Sequence, residues 1–301
     1  MARILLLARD IKLSHTLFAM PFALLAMVMA SASAAAPAAT GTARLPGSAT
    51  ILLIILCMVL ARTMAMAVNR WADGRIDATN PRTAGRAIPS GRLSPTFMLS
   101  VAIICSLAFF LAAAGFWVIH GNAWPALLSP AVLAFLAGYS FTKRFTWLCH
   151  LYLGMALAIS PVAAAVAIAP GFLAQPEAWL LSCMVLCWVA GFDIIYALQD
   201  VEVDRAAGLH SMPAKLGAAR ALWISRALHL MSLSLLIVLS RTSDLLHARF
   251  TVGVAIVATL LLLEHALVAG SRRHHIPMAF FTVNGIISLL LGGLGIWDVL
   301  S

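Results

Sequence analysis

The chain has 301 residues, of which 62% are hydrophobic and only 10% charged, against roughly 25% charged in soluble domains. That composition excludes a soluble globular protein, and the apolar runs are distributed so evenly that no separate soluble domain is expected: residues 1–301 read as one intramembrane unit. The formal net charge of +9 would point to nucleic acid in a soluble chain, but here it is accounted for by where Lys and Arg fall between spans, so nucleic acid is not expected as a partner.

In chain order, nine spans are predicted near 14–36, 49–68, 95–118, 124–141, 149–169, 177–197, 221–240, 246–269 and 277–299. Each approaches the ~20 residues needed to cross about 30 Å of hydrocarbon. The first resembles a secretory signal, with Arg3, Arg9 and Lys12 ahead of it, but its aromatic and polar start, His15 to Phe22, is unlike a plain Leu/Ala signal core. The Ala/Ser/Pro/Gly stretch at 31–49 reads as the end of that span and an external loop. With the N-terminus in the cytoplasm, Arg3, Arg9, Lys12, the 69–93 loop, Lys143, Arg144, Arg205, Lys215, Arg220, Arg272 and Arg273 all lie inside, whereas the outside keeps little beyond Arg44, Arg241 and Arg249. This is the positive-inside bias of a plasma-membrane protein, and nine crossings place the C-terminus outside. Cys57, Cys105, Cys149, Cys183 and Cys187 lie in or beside spans and read as small buried apolar residues.

Two acidic clusters stand out. Asn69, Asp73 and Asp77 follow the second span, and Asp200 and Asp204, with Asp193 upstream, follow the sixth. Residues four apart on a helix share a face, so each set aims its oxygens at one spot where a hard cation such as Mg²⁺ can bind. Each is followed by a loop carrying Arg, Lys, Gly and Pro, a coarse duplication that predicts two half-bundles around a shared cavity, capped by these loops.

The acids are interleaved with Arg70, Arg75, Arg82, Arg86 and Arg92, a mixture that would weaken a simple cation site. It suits a polyanion: a diphosphate bridged to the carboxylates through Mg²⁺, with Arg and Lys on its remaining oxygens and a lipophilic tail between the helices. At the lip of an apolar cavity such a diphosphate is a leaving group, and cations stabilise the charge that builds as its C–O bond breaks. Tyr139, Tyr196 and Trp71 are candidates to face the resulting allylic cation.

These residues resemble the intramembrane aromatic prenyltransferases typified by 4-hydroxybenzoate polyprenyltransferase, over nearly the whole chain. Asn69-x-x-x-Asp73-x-x-x-Asp77 is similar to the family's first metal motif, and residues 82–91, R-T-A-G-R-A-I-P-S-G, to its R-T-x-x-R-P-L-P-S-G continuation. Tyr139-Ser-Phe-Thr-Lys143-Arg144 resembles Y-P-x-x-K-R, and Asp193-I-I-Tyr196-A-L-Q-Asp200-V-E-V-Asp204 the second metal motif. The resemblance implies an all-α bundle of nine transmembrane helices, Mg²⁺ as cofactor, and transfer of a polyprenyl group to an aromatic acid. It implies metal binding by Asn69, Asp73, Asp77, Asp200 and Asp204, with Asp73 and Asp200 central to catalysis. It gives Lys143 to the diphosphate and Arg144 to the acceptor carboxylate; beside them, Arg62, Arg75, Arg82 and Arg86 are expected at the diphosphate, and Tyr139, Asp193 and Tyr196 at the acceptor. Ala87 and Gly208-Leu209-His210-Ser211 depart from the benzoate pattern, and the A-R-T-M-A-M-A-V-N-R lead-in and G-L-H-S-M-P-A-K-L-G tail resemble more closely the menaquinone branch that uses futalosine. They make 1,4-dihydroxy-6-naphthoate the expected acceptor and 4-hydroxybenzoate the alternative.

Other residues have plainer readings. Arg62, two turns before Asn69, either snorkels to the interface or completes the diphosphate pocket. His210 reads as a loop hydrogen-bonding residue, and His274 and His275 beside Arg272 and Arg273 as a solvated anchor. Glu264 falls inside a span without an evident role. An ion-coupled transporter is the competing class, but its acids belong near the midplane and not at span ends. A purely structural subunit leaves both acidic elements unexplained, and no protein partner is expected.

Overall fold

A computed structural model of the protein describes residues 2–12, 18–35, 45–269 and 276–301. Parts of the sequence reading, at His15, Arg44, Arg272, Arg273, His274 and His275, lie outside the described residues. The described residues are helical, without strands. A short amphipathic helix α1 (Ala2–Asp10) precedes α2 (Met20–Ala35), α3 (Ser48–Thr79), α4 (Pro95–His120), α5 (Trp124–Thr142) and α6 (Cys149–Ile168). After a 3₁₀ turn at Pro170–Ala174 come α7 (Pro176–Ala197), the short α8 (Val201–Ala206) and α9 (Met212–Leu216), then α10 (Ala218–Thr242) and α11 (Ala248–Leu267). A π turn at Met278–Val283 runs into α12 (Asn284–Leu300). Eight segments are long and apolar enough to cross a membrane, and α2 adds a shorter apolar helix of 16 described residues.

The long helices are apolar all round, as lipid-facing spans must be. Leu52, Ile104, Leu111, Val118 and Leu262 are among the large side chains turned outward. Neighbours in the bundle follow the order α3, α4, α5, α6, α7, α10, α11, α12, with α2 packed inside against α6 and α12. Phe22, Leu25 and Met29 of α2 are fully buried, beside Trp188 and Phe192 of α7. The described part of the first span is therefore core. Helices α6 and α7 approach so closely at Gly154 that a Cβ there would stand 2.4 Å from the Leu186 carbonyl oxygen.

Two boundaries differ from the sequence reading, and both shape the charged end of the bundle. The second span does not stop at residue 68: α3 continues for 32 residues to Thr79, about 48 Å at 1.5 Å per residue. Its last three turns therefore project beyond an apolar layer about 30 Å thick. The second acidic element is not one continuous helix. It breaks after Ala197, and Asp200 becomes the residue before α8. Gly208, at φ +66°, then reverses the chain, which only a residue without a side chain does cheaply.

Glu264, unexplained by sequence, is completely buried. Its Oε1 accepts a 2.8 Å bond from Asn284 Nδ2, while Trp188 Nε1 donates to Asn284 Oδ1 at 2.7 Å. Asn284 Nδ2 also donates to the Ala279 carbonyl in the π turn. A buried polar network thus joins α7, α11 and α12, where an unpaired group would be costly.

Candidate active site

The C-terminal turns of α3 hold the first cluster. Asn69 Nδ2 donates to Asp73 Oδ2 at 2.8 Å, and Arg144, from the turn after α5, reaches Asp73 Oδ1 at 3.1 Å. Arg86 Nη1 lies 2.7 Å from both oxygens of buried Asp77. The loop that carries Arg86 folds back on its own helix because Thr83 Oγ1 donates to the Asp77 carbonyl at 3.1 Å.

The same loop crosses to the second cluster. Arg82 grips Asp200 with two parallel bonds, Nε to Oδ1 at 2.9 Å and Nη2 to Oδ2 at 2.6 Å, the fork geometry that suits guanidinium to carboxylate. Asn80 Nδ2 adds a 3.0 Å bond to Asp200, and Arg82 Nη1 donates to the Tyr196 hydroxyl at 2.9 Å. Lys143 Nζ stands 2.6 Å from Asp204 Oδ1, and fully buried Ser211 donates to Asp204 Oδ2 at 2.6 Å. The His210 backbone N–H donates to the Lys143 carbonyl at 2.7 Å, tying the turn after α5 to the loop after α8.

Asp73, Asp77, Asp200 and Asp204 are each matched by one cation: Arg144, Arg86, Arg82 and Lys143 respectively. Burial pushes the Asp200 carboxyl up, but the bonds from Arg82 outweigh it and hold the group below the usual carboxylate range. Burial also opposes the charge on Lys143, yet Asp204 raises its pKa above the ordinary lysine value. Lys12, 4.5 Å above the Phe281 ring, is pushed the other way, by burial and then by the guanidinia of Arg86, Arg82 and Arg70. The site therefore carries balanced ion pairs under an added positive field.

The donor chemistry fits Mg²⁺, since four carboxylates and the Asn69 amide are hard oxygen ligands at one end of the bundle. Among the described residues no three His, Cys, Asp or Glu side chains converge closely enough to hold a metal ion. Each cluster can thus supply only part of a coordination shell, the mode in which Mg²⁺ takes its remaining ligands from phosphate oxygens and water.

Below the charged end, a cavity of about 490 Å³ runs between α3, α4, α5 and α6. Its lining is apolar apart from a few side chains, including Arg62, Tyr139, Ser129 and Ser160. Arg62 donates from Nη2 to the Lys12 carbonyl at 3.2 Å, while its buried Nε has no partner. Asp193 Oδ2 is 2.7 Å from His150 Nδ1.

Other residues singled out by sequence sit elsewhere. Arg75 is exposed and makes no ion pair among the described residues. Trp71 is 41% exposed and does not line the cavity. Tyr196 faces Arg82 and packs on Phe280 with ring centroids 4.2 Å apart, away from the cavity lining. Sequence reasoning missed Asp10, Asn80, His150 and Ser211. Asp10 is 3.3 Å from Arg70 and accepts from the Ala87 backbone N–H at 2.7 Å, docking α1 on the site loop. These four sit outside the spaced motifs, so only chain reversal brings them in.

Residues 19–286 match the UbiA prenyltransferase family, and the chain belongs to it. It is a prenyltransferase and a multi-pass membrane protein. Among its relatives, the 4-hydroxybenzoate octaprenyltransferase of Ectopseudomonas mendocina is 32% identical over 239 residues, covering 78% of this chain and 75% of that protein. The enzyme of the same name from Aeromonas hydrophila is 29% identical over 251 residues, covering 83% and 84%. The apo structure of a UbiA homolog from Aeropyrum pernix K1 superposes with a TM-score of 0.82 at 32% identity, covering 96% of this chain and 99% of that one. A UbiA homolog from Archaeoglobus fulgidus bound to GPP and Mg²⁺ shares the fold, with a TM-score of 0.73 at 16% identity over 98% and 99% of the two chains.

Proposed function

We propose that the protein transfers a polyprenyl group from polyprenyl diphosphate to a hydroxylated aromatic acid, with 4-hydroxybenzoate as the acceptor. The observation that carries this reading is the set of four acid–cation pairs at one end of a bundle that also holds an apolar cavity of about 490 Å³, whose lining reaches Met66 and Tyr139, about two turns before Asp73 on α3 and one before Lys143 at the end of α5. On binding, the cations exchange carboxylate for phosphate oxygens, and Asp73, Asp77, Asp200 and Asp204, with Asn69, are the residues that would hold Mg²⁺. Mg²⁺ there would neutralise negative charge on the leaving diphosphate. Arg82, Arg86 and Lys143 take the remaining oxygens, and the apolar cavity holds the chain and keeps water from the allylic cation. The prenyl C–O bond breaks with its electrons on the diphosphate, a ring carbon of the acceptor forms the new C–C bond, and the ring loses a proton.

Both curated relatives named above act, by name, on 4-hydroxybenzoate, which favours that acceptor over the naphthoate expected from the Gly208-Leu209-His210-Ser211 segment. The likeness to the Archaeoglobus protein bound to GPP and Mg²⁺ supports the choice of metal. For the acceptor carboxylate, Arg62 is better placed than Arg144. Arg144 is an outer-rim side chain occupied by Asp73 and the Ala72 carbonyl, whereas Arg62 lines the cavity with a buried, unpartnered Nε. The charged end, which gathers most of the Lys and Arg, faces the cytoplasm of a bacterial inner membrane in this reading.

The test is to incubate purified protein with Mg²⁺, a polyprenyl diphosphate and either acceptor, and to detect products by mass spectrometry. Prenylated 4-hydroxybenzoate that forms only with divalent metal is expected, with its KM raised in Arg62→Lys while the KM for prenyl diphosphate is kept. Far more efficient use of 1,4-dihydroxy-6-naphthoate would overturn the acceptor assignment, and no prenylated product from either would overturn the function.

A further inference from the structure

We infer that the lipid-facing side of α10 carries a binding site for an anionic phospholipid, in which Arg226 holds the headgroup phosphate beside Trp223. The site is separate from the acid–cation pairs and does not depend on the transfer reaction proposed above.

Arg226 stands eight residues into α10 (Ala218–Thr242), about 12 Å from its start at 1.5 Å per residue. A guanidinium within a span needs a counterion, and the protein supplies none. All eleven Asp and Glu residues of the chain are among the described residues, and none of them lies within ion-pair distance of Arg226. Arg226 also makes no hydrogen bond among the described residues. Arg70, Arg82, Arg86, Arg144 and Arg249, by contrast, each meet an acid.

The rotation of α10 explains why this side chain is left without one. Ser225 Oγ donates to the Gly191 carbonyl at 2.8 Å, and the His229 ring packs so closely on Gly191 that a Cβ there would stand 2.2 Å from it. One face of α10 is thereby fixed against α7, while Trp223, 66% exposed, and Leu230 are turned outward. Side chains on a helix lean toward its N-terminus, and Arg226 does so: its Cζ is 4.6 Å from the Trp223 ring centroid, one turn nearer the charged end. Its stem thus carries the guanidinium back toward the bilayer surface, to the level of an outward-facing tryptophan, a side chain enriched at headgroup depth. Arg220, exposed and also without an ion pair among the described residues, precedes Trp223 by one turn. Spaced by three, Arg220, Trp223 and Arg226 are successive neighbours on the helix surface.

The occupant that complements this surface brings negative charge at headgroup depth and apolar chains below it. Parallel N–H donors of Arg226 match two oxygens of a phosphodiester, Arg220 adds attraction from the surface side, and the acyl chains run past Leu230. Free phosphate offers the same oxygens without the chains.

The test uses the whole protein, delipidated in detergent and titrated with dioleoylphosphatidylglycerol, dioleoylphosphatidylcholine or inorganic phosphate, with binding read by native mass spectrometry and stability by melting curves. Phosphatidylglycerol should bind saturably and raise the Tm, phosphatidylcholine should bind clearly more weakly, and inorganic phosphate should leave the Tm unchanged. Arg226→Gln should weaken phosphatidylglycerol binding about tenfold, as expected for loss of a hydrogen bond between charged groups. Arg226→Lys, which keeps the charge but loses the fork, should fall between the two. Without lipid, both variants should melt close to the unmodified protein, because Arg226 has no acid or hydrogen-bond partner to lose. Equal phosphatidylglycerol binding by unmodified and Arg226→Gln protein would overturn the site, as would equal binding of phosphatidylcholine. A variant that melts lower without lipid yet keeps its affinity for phosphatidylglycerol would also overturn it, by showing that Arg226 serves only the fold. A Tm rise with inorganic phosphate equal to that with the lipid would overturn the lipid as occupant.

Discussion

At Asp200 two opposing effects meet, and geometry decides between them. Burial disfavours its charge, but a forked Arg82 and the Asn80 amide supply three short bonds. With its pKa held below the unfolded value of about 3.9, Asp200 stabilises the fold fully above that value and loses the contribution as pH falls through the depressed one. Arg82→Ala removes the cause. The Tm gap between unmodified and variant protein, melted without metal, should therefore be widest above about pH 5 and narrow below pH 4. For turnover, Asp73→Ala and Asp200→Ala should each cost about a hundredfold or more, the scale of one lost preorganised transition-state contact. Near-normal turnover of either folded variant at saturating Mg²⁺ would rule out a site shared by both clusters. Ser211→Ala leaves buried Asp204 with one bond fewer, at about 1–3 kcal/mol, readable as a lower Tm.

Among the elements, the α6–α7 contact is a demanding one, because it sets backbone against backbone. The backbones meet where Gly154 leaves no space for a side chain, so Gly154→Val should force the helices apart at a cost of about 1–3 kcal/mol for overpacking. The expected outcome is a lower Tm in detergent together with a raised acceptor KM, since Leu153 and Leu157 of the displaced α6 line the cavity. A variant that melts normally would show that the contact tolerates separation. The 80–92 loop has the opposite character: it is held by side chains, through Thr83 on α3, Asn80 and Arg82 on Asp200, and Asp10 on Ala87. It closes the site by these hydrogen bonds together with the packing of Ala87 and Ile88 against Met64 and Ala67 of α3.

For the whole molecule, alternation of the spans brings both acidic clusters to one end. If that end is cytoplasmic, cysteines placed at exposed Ser90 and Ala207, in a background without native cysteines, should react with an impermeant thiol reagent only in inside-out vesicles. Labelling of either from outside intact cells would reverse the orientation. Ser211, although in the same loop, is fully buried and is unsuitable as a probe.

The spans were legible because a bilayer imposes one demand on every helix, a stretch of apolar residues of sufficient length, and that demand is written locally. The acids at 69–77 and 200–204 were legible for a similar reason, since ionisable residues beside apolar spans are conspicuous and their four-residue spacing is a property of one helix. What sequence could not specify was which cation meets which acid. Arg82 was grouped with the first cluster by proximity in the chain, yet it grips Asp200, 118 positions away, because the loop after α3 crosses the bundle end. His150, Asp10, Ser211 and the Glu264 network carry no spacing signal at all. Their partners lie on other helices, and only the packing of small residues such as Gly154 sets how closely those helices come together. Local composition thus determined that this chain spans a membrane and carries two acidic motifs, whereas tertiary packing decided how those charges pair and where the cavity opens, because both depend on distances between helices that no single segment encodes.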